Sequence, residues 1–140
     1  MVKRALGAHA LAMEHNKLRP FEIGMTVLLV AFLLLLAAGG FLWPEAAATG
    51  FGIPLVDPLD AFYLRVKGDR DLGAALAVGA LLWLGERRAL GVLLSAFTIE
   101  PICDAILLIS DPRGQLAHAL LVHGSAAVYC VLLSWRLLRK

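Results

Sequence analysis

A chain of 140 residues that is 60% hydrophobic, with a mean hydropathy of +0.79, carries more apolar surface than one soluble core of that size can hide, because soluble domains run at about 45–50%. The net charge of +2, with the basic residues at segment ends, excludes a stripe built for nucleic acid. Cys103 and Cys130 both lie in apolar segments outside any CxxC pair, so they read as small buried hydrophobes rather than a disulfide framework.

Residues 1–20 set Lys3, Arg4, Lys17 and Arg19 around a weakly amphipathic run containing Val2, Leu6 and Met13. That pattern predicts a cytoplasmic helix lying near the bilayer surface. The apolar run begins only at Phe21 and lasts through Trp43, too late and too long for a cleaved secretory signal, so it predicts a first span. Gly39-Gly40 and Trp43-Pro44 end it, with Trp43 at the interface. Glu22, at the mouth of that span, reads as a solvated carboxylate of the kind favoured near a helix start. The stretch Glu45–Val56 reads as a loop turned at Gly50, Gly52 and Pro54. Asp57-Pro58-Leu59-Asp60 then marks a helix start, with Asp57 as cap and Pro58 in the first position.

The next helix has a clean apolar run only over Leu72–Leu84, about 20 Å at 1.5 Å per residue against the ~30 Å of a hydrocarbon core. Part of residues 64–71 must lie within the bilayer's depth, bringing Arg65, Lys67, Asp69, Arg70 and Asp71 with it; Arg70 or Asp71 is expected to face the interior. Gly85-Glu86-Arg87-Arg88 is a tight basic turn. A third span follows over 89–110 and a fourth over 115–135, closed by Trp135 and the basic residues after it. The expected fold is all-α: an integral membrane four-helix bundle over residues 21–140, with spans at 21–43, 64–84, 89–110 and 115–135, behind the amphipathic segment 1–20. Of the 13 Lys and Arg, Lys3, Arg4, Lys17, Arg19, Arg87, Arg88, Arg136, Arg139 and Lys140 share the side of both termini. The positive-inside rule therefore puts both termini in the cytoplasm, and the protein in the cytoplasmic (inner) membrane.

The third span holds the most informative stretch, Thr98-Ile99-Glu100-Pro101-Ile102-Cys103-Asp104. Two acids four residues apart share one helix face, and Pro101 deprives the Phe97 carbonyl of its usual partner. Ionisable groups inside a span cost at least about 2.5–3.5 kcal/mol each, so they face a protein interior or a wet cavity and mark function. Counted from the helix ends, Glu100 and His123 lie at about 18 Å depth, Arg70 at about 22 Å, Asp104 at about 24 Å and His118 at about 26 Å. The fourth span carries two polar stripes, His118-Ser125-Tyr129 and His123-Cys130-Ser134. The first of them is expected to face the site.

This set suits proton transfer on a lipophilic molecule entering from the bilayer: isomerisation, cyclisation or hydration. Glu100, Asp104, Arg70 and His118 are the expected acid, base and charge-stabilising groups, with Asp71, Lys67, His123, Tyr129 and Ser125 holding the ligand. No cofactor is implied. A metal site drawn from Glu100, Asp104 and His118 has no HExxH or ExxH pattern behind it, and Arg70 would repel a cation. The expected partners are the lipid bilayer, a lipophilic small molecule, and a second copy or a partner membrane subunit. Two other functions compete. In a non-catalytic accessory subunit, an Arg70–Asp104 pair would merely fix helix packing. A proton-coupled transporter of the small four-helix kind would place its acid in the first span, which is apolar from Ile23 to Trp43 apart from Thr26.

The run Arg65-x-Lys67-Gly68-x-Arg70-Asp71, preceded by Gly50-Phe51-Gly52-Ile53-Pro54 and followed by the acid-bearing third helix with Glu100 and Asp104, resembles a known family. It is a family of small four-helix bacterial and fungal membrane proteins catalogued only as a domain of unknown function, and the likeness extends over about residues 21–138. More distantly, the chain resembles the DoxX-like group of four-helix membrane proteins. The resemblance implies the four-helix membrane fold and carries no activity. DoxX-like proteins are often linked to redox or sulfur metabolism, a role that neither cysteine here sits in a pattern to support.

Overall fold

The computed structural model describes residues 17–139, and these are all-α, with no strand among them. Most of the surface helix expected over residues 1–20 lies outside the described residues. Lys17 to Arg19 lead in without regular structure, Arg19 being extended, and α1 (Pro20–Leu42) starts with a proline in its first turn. The backbone N–H of Arg19 donates to the Glu22 carboxylate at 2.9 Å, which fixes that start. Trp43 breaks the helix, with its backbone at φ −137° and ψ 63°, and Pro44 begins a second one at once.

That second helix, α2 (Pro44–Phe51), occupies what the sequence suggests is a loop. The correction has a local cause. Pro44 is preset for a first helical turn, Glu45 suits the N-terminal dipole, and Ala46, Ala47 and Ala48 are the best helix formers. Gly52, at φ +111°, then stops the helix while its N–H bonds back to the Ala48 carbonyl. Asp57 caps a short 3₁₀ turn (Pro58–Asp60) by accepting from the Leu59 N–H at 2.8 Å, and α3 (Ala61–Trp83) runs on from it. Gly85, at φ +69°, turns the chain into α4 (Arg87–Phe97).

The helix is interrupted at Thr98 and resumes as α5 (Ile99–Ser110). Pro101 thereby falls in the first turn of a new helix, where a missing N–H matters little, and the Thr98 hydroxyl donates to the Leu94 carbonyl. At the far end of α5 the Arg113 side chain and backbone N–H grip Asp111, holding its carboxyl well below the usual range, at about 2. The last helix, α6 (Leu116–Leu138), has a π-helical stretch at Ala119–Gly124.

Three of these helices, α1, α4 continued through α5, and α6, are long and apolar enough to cross a membrane. Helix α3 matches α1 in length but carries the charged run in its first half. Much of the apolar surface faces outward, as bilayer-facing residues do: Leu35 is 66% exposed, Leu107 61% and Leu121 74%. Inside, Leu29, Val78, Leu90, Leu94, Leu133 and Leu137 form the core. Helices α1 and α3 touch backbone to backbone at Gly40 and Gly68. A Cβ on Gly40 would come within 2.6 Å of the Leu64 carbonyl oxygen, and one on Gly68 within 3.0 Å of that of Ala37. Small residues at such a crossing let helices meet closely, as in bilayers generally.

The expectation for Glu22 is overturned. Its side chain is 0% exposed and sits against Arg87, itself placed by the sequence in a tight basic turn. Arg87 Nε and Nη2 donate to the two Glu22 oxygens at 3.2 and 3.0 Å, while Nη2 and Nη1 also reach the carbonyls of Arg136 and Arg139 at 2.8 and 3.1 Å. One guanidinium thus joins the start of α1, the start of α4 and the end of α6, whose unbonded carbonyls favour a cation there. A planar fork of five donors can satisfy a carboxylate and two carbonyls together; an ammonium could not match that geometry. Truncating Arg87 to methionine should cost about 3–5 kcal/mol, because Glu22 is left buried and unpaired. The double change Glu22→Met/Arg87→Met should recover much of that loss. Reversible unfolding in micelles measures both.

Candidate functional site

The half of the bundle away from the Glu22–Arg87 clasp is not filled. A cavity of about 480 Å³ lies between the helices, within the range of small-molecule sites. Leu29 and Leu94 of the core form its floor, and Phe32, Leu36, Leu64 and Phe97 line its walls. Its other end is covered by α2, through Ala46, Ala47, Gly50 and Phe51, with Trp43 beside them.

Five ionisable side chains reach this apolar space: Lys67 and Asp71 from α3, Glu100 and Asp104 from α5, and His123 from α6. Three local geometries bring them there. Lys67 and Asp71 are one helical turn apart, and Lys67 Nζ donates to Asp71 Oδ2 at 2.8 Å, with Asp71 buried and Lys67 partly exposed. Glu100 and Asp104 share the inward face of α5 just past the Thr98 break. His123 projects from the π-helical stretch of α6, where its Nε2 lies 3.1 Å from the Phe51 carbonyl oxygen and its Nδ1 lies 3.6 Å from Asp104 Oδ2.

The two sides of the His123 ring make incompatible demands unless a second proton is present. A carbonyl oxygen can only accept, so the proton on a neutral ring belongs on Nε2. Nδ1 then presents a lone pair to Asp104. If Asp104 is ionised, two acceptors face each other. The arrangement is consistent when the pair holds one further proton, either on Nδ1 as imidazolium or on the Asp104 carboxyl. Nδ1 and the Asp104 carboxyl are thus two places where a proton would suit the site, next to a second carboxylate at Glu100.

The structure gathers part of the expected set and leaves part aside. Lys67, Asp71, Glu100, Asp104 and His123 meet at the cavity. Arg70 is exposed, stands off the cavity wall and is in none of the ion pairs among the described residues, so the expected Arg70–Asp104 pair does not form. Lys67 serves as the cation there, one turn earlier on the inward face. His118 also lies off the wall, with Nδ1 3.1 Å from Gln115 Oε1. Ser125 bonds the Val122 carbonyl, and Tyr129 donates to that of Met25 at 2.6 Å. The stripe that lines the cavity is thus the second one, through His123 and Cys130. The π stretch lies wholly between His118 and Ser125, so a +7 offset counted across it no longer returns those two to one face, whereas His123 and Cys130 still share one.

Sequence reasoning passed over Phe51, Trp43 and the cap they form. The pattern Pro44-Glu45-Ala46-Ala47-Ala48 closed by Gly52 held the signal for that cap. Among the described residues, no group of three or more His, Cys, Asp or Glu stands close enough to hold a metal ion. If Lys67 is the working partner of Asp71, Lys67→Met should lower stability by about 1–3 kcal/mol, the cost of stranding a mostly buried carboxylate beside a partly exposed cation. Arg70→Met should stay within about 0.5 kcal/mol. Chemical unfolding of the two variants in the same detergent makes the comparison.

Residues 30–137 match the family described as domain of unknown function DUF4267, and the chain belongs to that family. The match does not extend to the more distant DoxX-like likeness. No curated protein and no solved structure matches the chain.

Proposed function

For this member of the DUF4267 family, we propose an integral membrane protein of four spans that binds a lipophilic small molecule in the cavity and moves a proton on it. The fourth span is α3, whose charged first half is tolerable in a bilayer because Asp71 and Lys67 are paired and turned inward while Arg65 and Arg70 can snorkel. Both termini lie on the cytoplasmic side of the inner membrane, the side that gathers most of the lysines and arginines. The cavity then sits in the outer half of the bilayer, under α2.

One observation carries the functional reading: five ionisable groups converge on an otherwise apolar cavity of small-molecule size. Packing alone has no use for such a hollow. The Asp104–His123 pair would give and take a proton at one atom of the ligand, and Glu100 would do so at another. That division suits an isomerisation or a cyclisation, which needs no second substrate. Lys67 stays with Asp71 and sets the local charge.

The competing reading, an accessory subunit whose charges only fix packing, takes its support from the Glu22–Arg87 clasp. That clasp stands at the other end of the bundle and leaves the cavity groups unexplained. Native mass spectrometry of gently purified protein separates the two. A small lipophilic adduct is expected on the wild type and should be lost from Glu100→Gln/Asp104→Asn while the fold persists. A bare protein, or one that arrives only with another subunit, would overturn the ligand reading.

A further inference from the structure

We propose that helix α2 is a lid on the cavity, latched by His123 and released when the Asp104–His123 pair loses the proton it shares. The ligand that such a lid would admit rests on the reading above; the latch itself is testable without any ligand.

Helix α2 is built to move as a unit. It hangs between the one-residue break at Trp43 and Gly52, whose left-handed backbone (φ +111°) a side chain would strain. A Cβ there would also press on His118 and Leu108, at 3.0 and 3.2 Å. Of its eight residues only Ala48 is buried. Segments with so few buried contacts belong to the least stable part of a fold. Across the cavity mouth, α2 is tied to α6 through Phe51: the carbonyl accepts from His123 Nε2 at 3.1 Å, and the two rings meet edge to face at 4.8 Å.

The tie depends on proton count. With the extra proton in place, His123 donates to Phe51 while Nδ1 and Asp104 Oδ2, 3.6 Å apart, attract each other at ion-pair distance. Remove it, and the neutral ring must choose. A proton kept on Nε2 holds Phe51 but sets the Nδ1 lone pair against the Asp104 carboxylate. A proton moved to Nδ1 satisfies Asp104 but sets the Nε2 lone pair against the Phe51 carbonyl. Either choice loses a contact and loosens the lid. The other charged groups around His123 are few. Helix α3 brings the Lys67–Asp71 pair and, outside it, Arg70; α5 brings Glu100 one turn before Asp104; α6 itself has Cys130. Helix α2 offers only Glu45, exposed at its start, and α1 only Glu22, locked to Arg87 at the far end. Helix α6 also sets His118 against Gly52 at the end of α2, bonded to Gln115 rather than to α2; among the described residues the Asp104–His123 contact is the titratable one that reaches α2 through a hydrogen bond.

Hydrogen exchange of the α2 amides tests this, with protection factors corrected for the intrinsic effect of pH. Wild-type protection should fall roughly tenfold between about pH 5 and about pH 9, the scale of one hydrogen bond with charged character, while α1 stays constant. In Asp104→Asn the side-chain amide can donate to Nδ1, so a neutral ring satisfies both sides, and α2 should stay protected across the range. His123→Phe keeps the ring contact but has no donor, and should show the low protection at every pH. A flat wild-type profile, an Asp104→Asn profile that falls like the wild type, or full protection in His123→Phe would each overturn the latch. A working latch on a protein that carries no adduct would instead sink the ligand reading alone.

Discussion

The architecture hangs on one buried ion pair, Glu22 with Arg87. A carboxylate with no exposed surface is tolerable only if its charge is matched and its lone pairs are used. Arg87 does both and spends its remaining donors on the last carbonyls of α6. Three helix ends from distant parts of the sequence are thereby pinned to one point. Next to that point the leucine core is dense: Leu90 and Leu94 expose none of their surface, and Leu137 only 1%. The clasp closes one end of the bundle, so the other end can stay open without the helices splaying.

That open end is where the chain departs from what packing favours. An apolar cavity costs dispersion contacts, and charged groups beside it cost desolvation. Both costs fall on one place, between the Gly40–Gly68 crossing and the Thr98 break. The crossing brings α1 and α3 close enough for Lys67 and Asp71 to reach inward. The break starts α5 afresh, so Glu100 and Asp104 can present one face. The π stretch turns His123 toward both Asp104 and Phe51. The last two devices disturb regular helix geometry, and all three border the cavity, as functional sites tend to require.

The all-α architecture and its span-length helices are legible in the sequence because their signals are long: apolar runs of span length, the basic turn at 85–88, and the Asp57-Pro58 helix start. The pair of acids at Glu100 and Asp104 was legible for the same reason, since four residues apart on a helix means one face. What failed depended on contacts between helices or on small irregularities within one. Glu22 reads alone as a solvated carboxylate and Arg87 alone as part of a basic turn, although opposite charges at the same level of neighbouring helices can meet. Arg70 was preferred over Lys67 because depth along the axis does not say which way a side chain points. Nothing in the sequence separates the His118 stripe from the His123 stripe, since both repeat at the same offsets, and nothing in Ala119–Gly124 announces the π turn.

The central claim is that Asp104 and His123 hold one proton between them at the cavity wall, with the His123 ring tied to Phe51. Nuclear magnetic resonance of the His123 ring nitrogens and the Asp104 carboxyl carbon, in labelled protein at about pH 5, measures it directly. The account predicts a proton on Nε2, and one further proton found either on Nδ1 beside an ionised Asp104 or on the Asp104 carboxyl. A neutral ring protonated on Nδ1 would contradict it, as would a neutral ring beside an ionised Asp104.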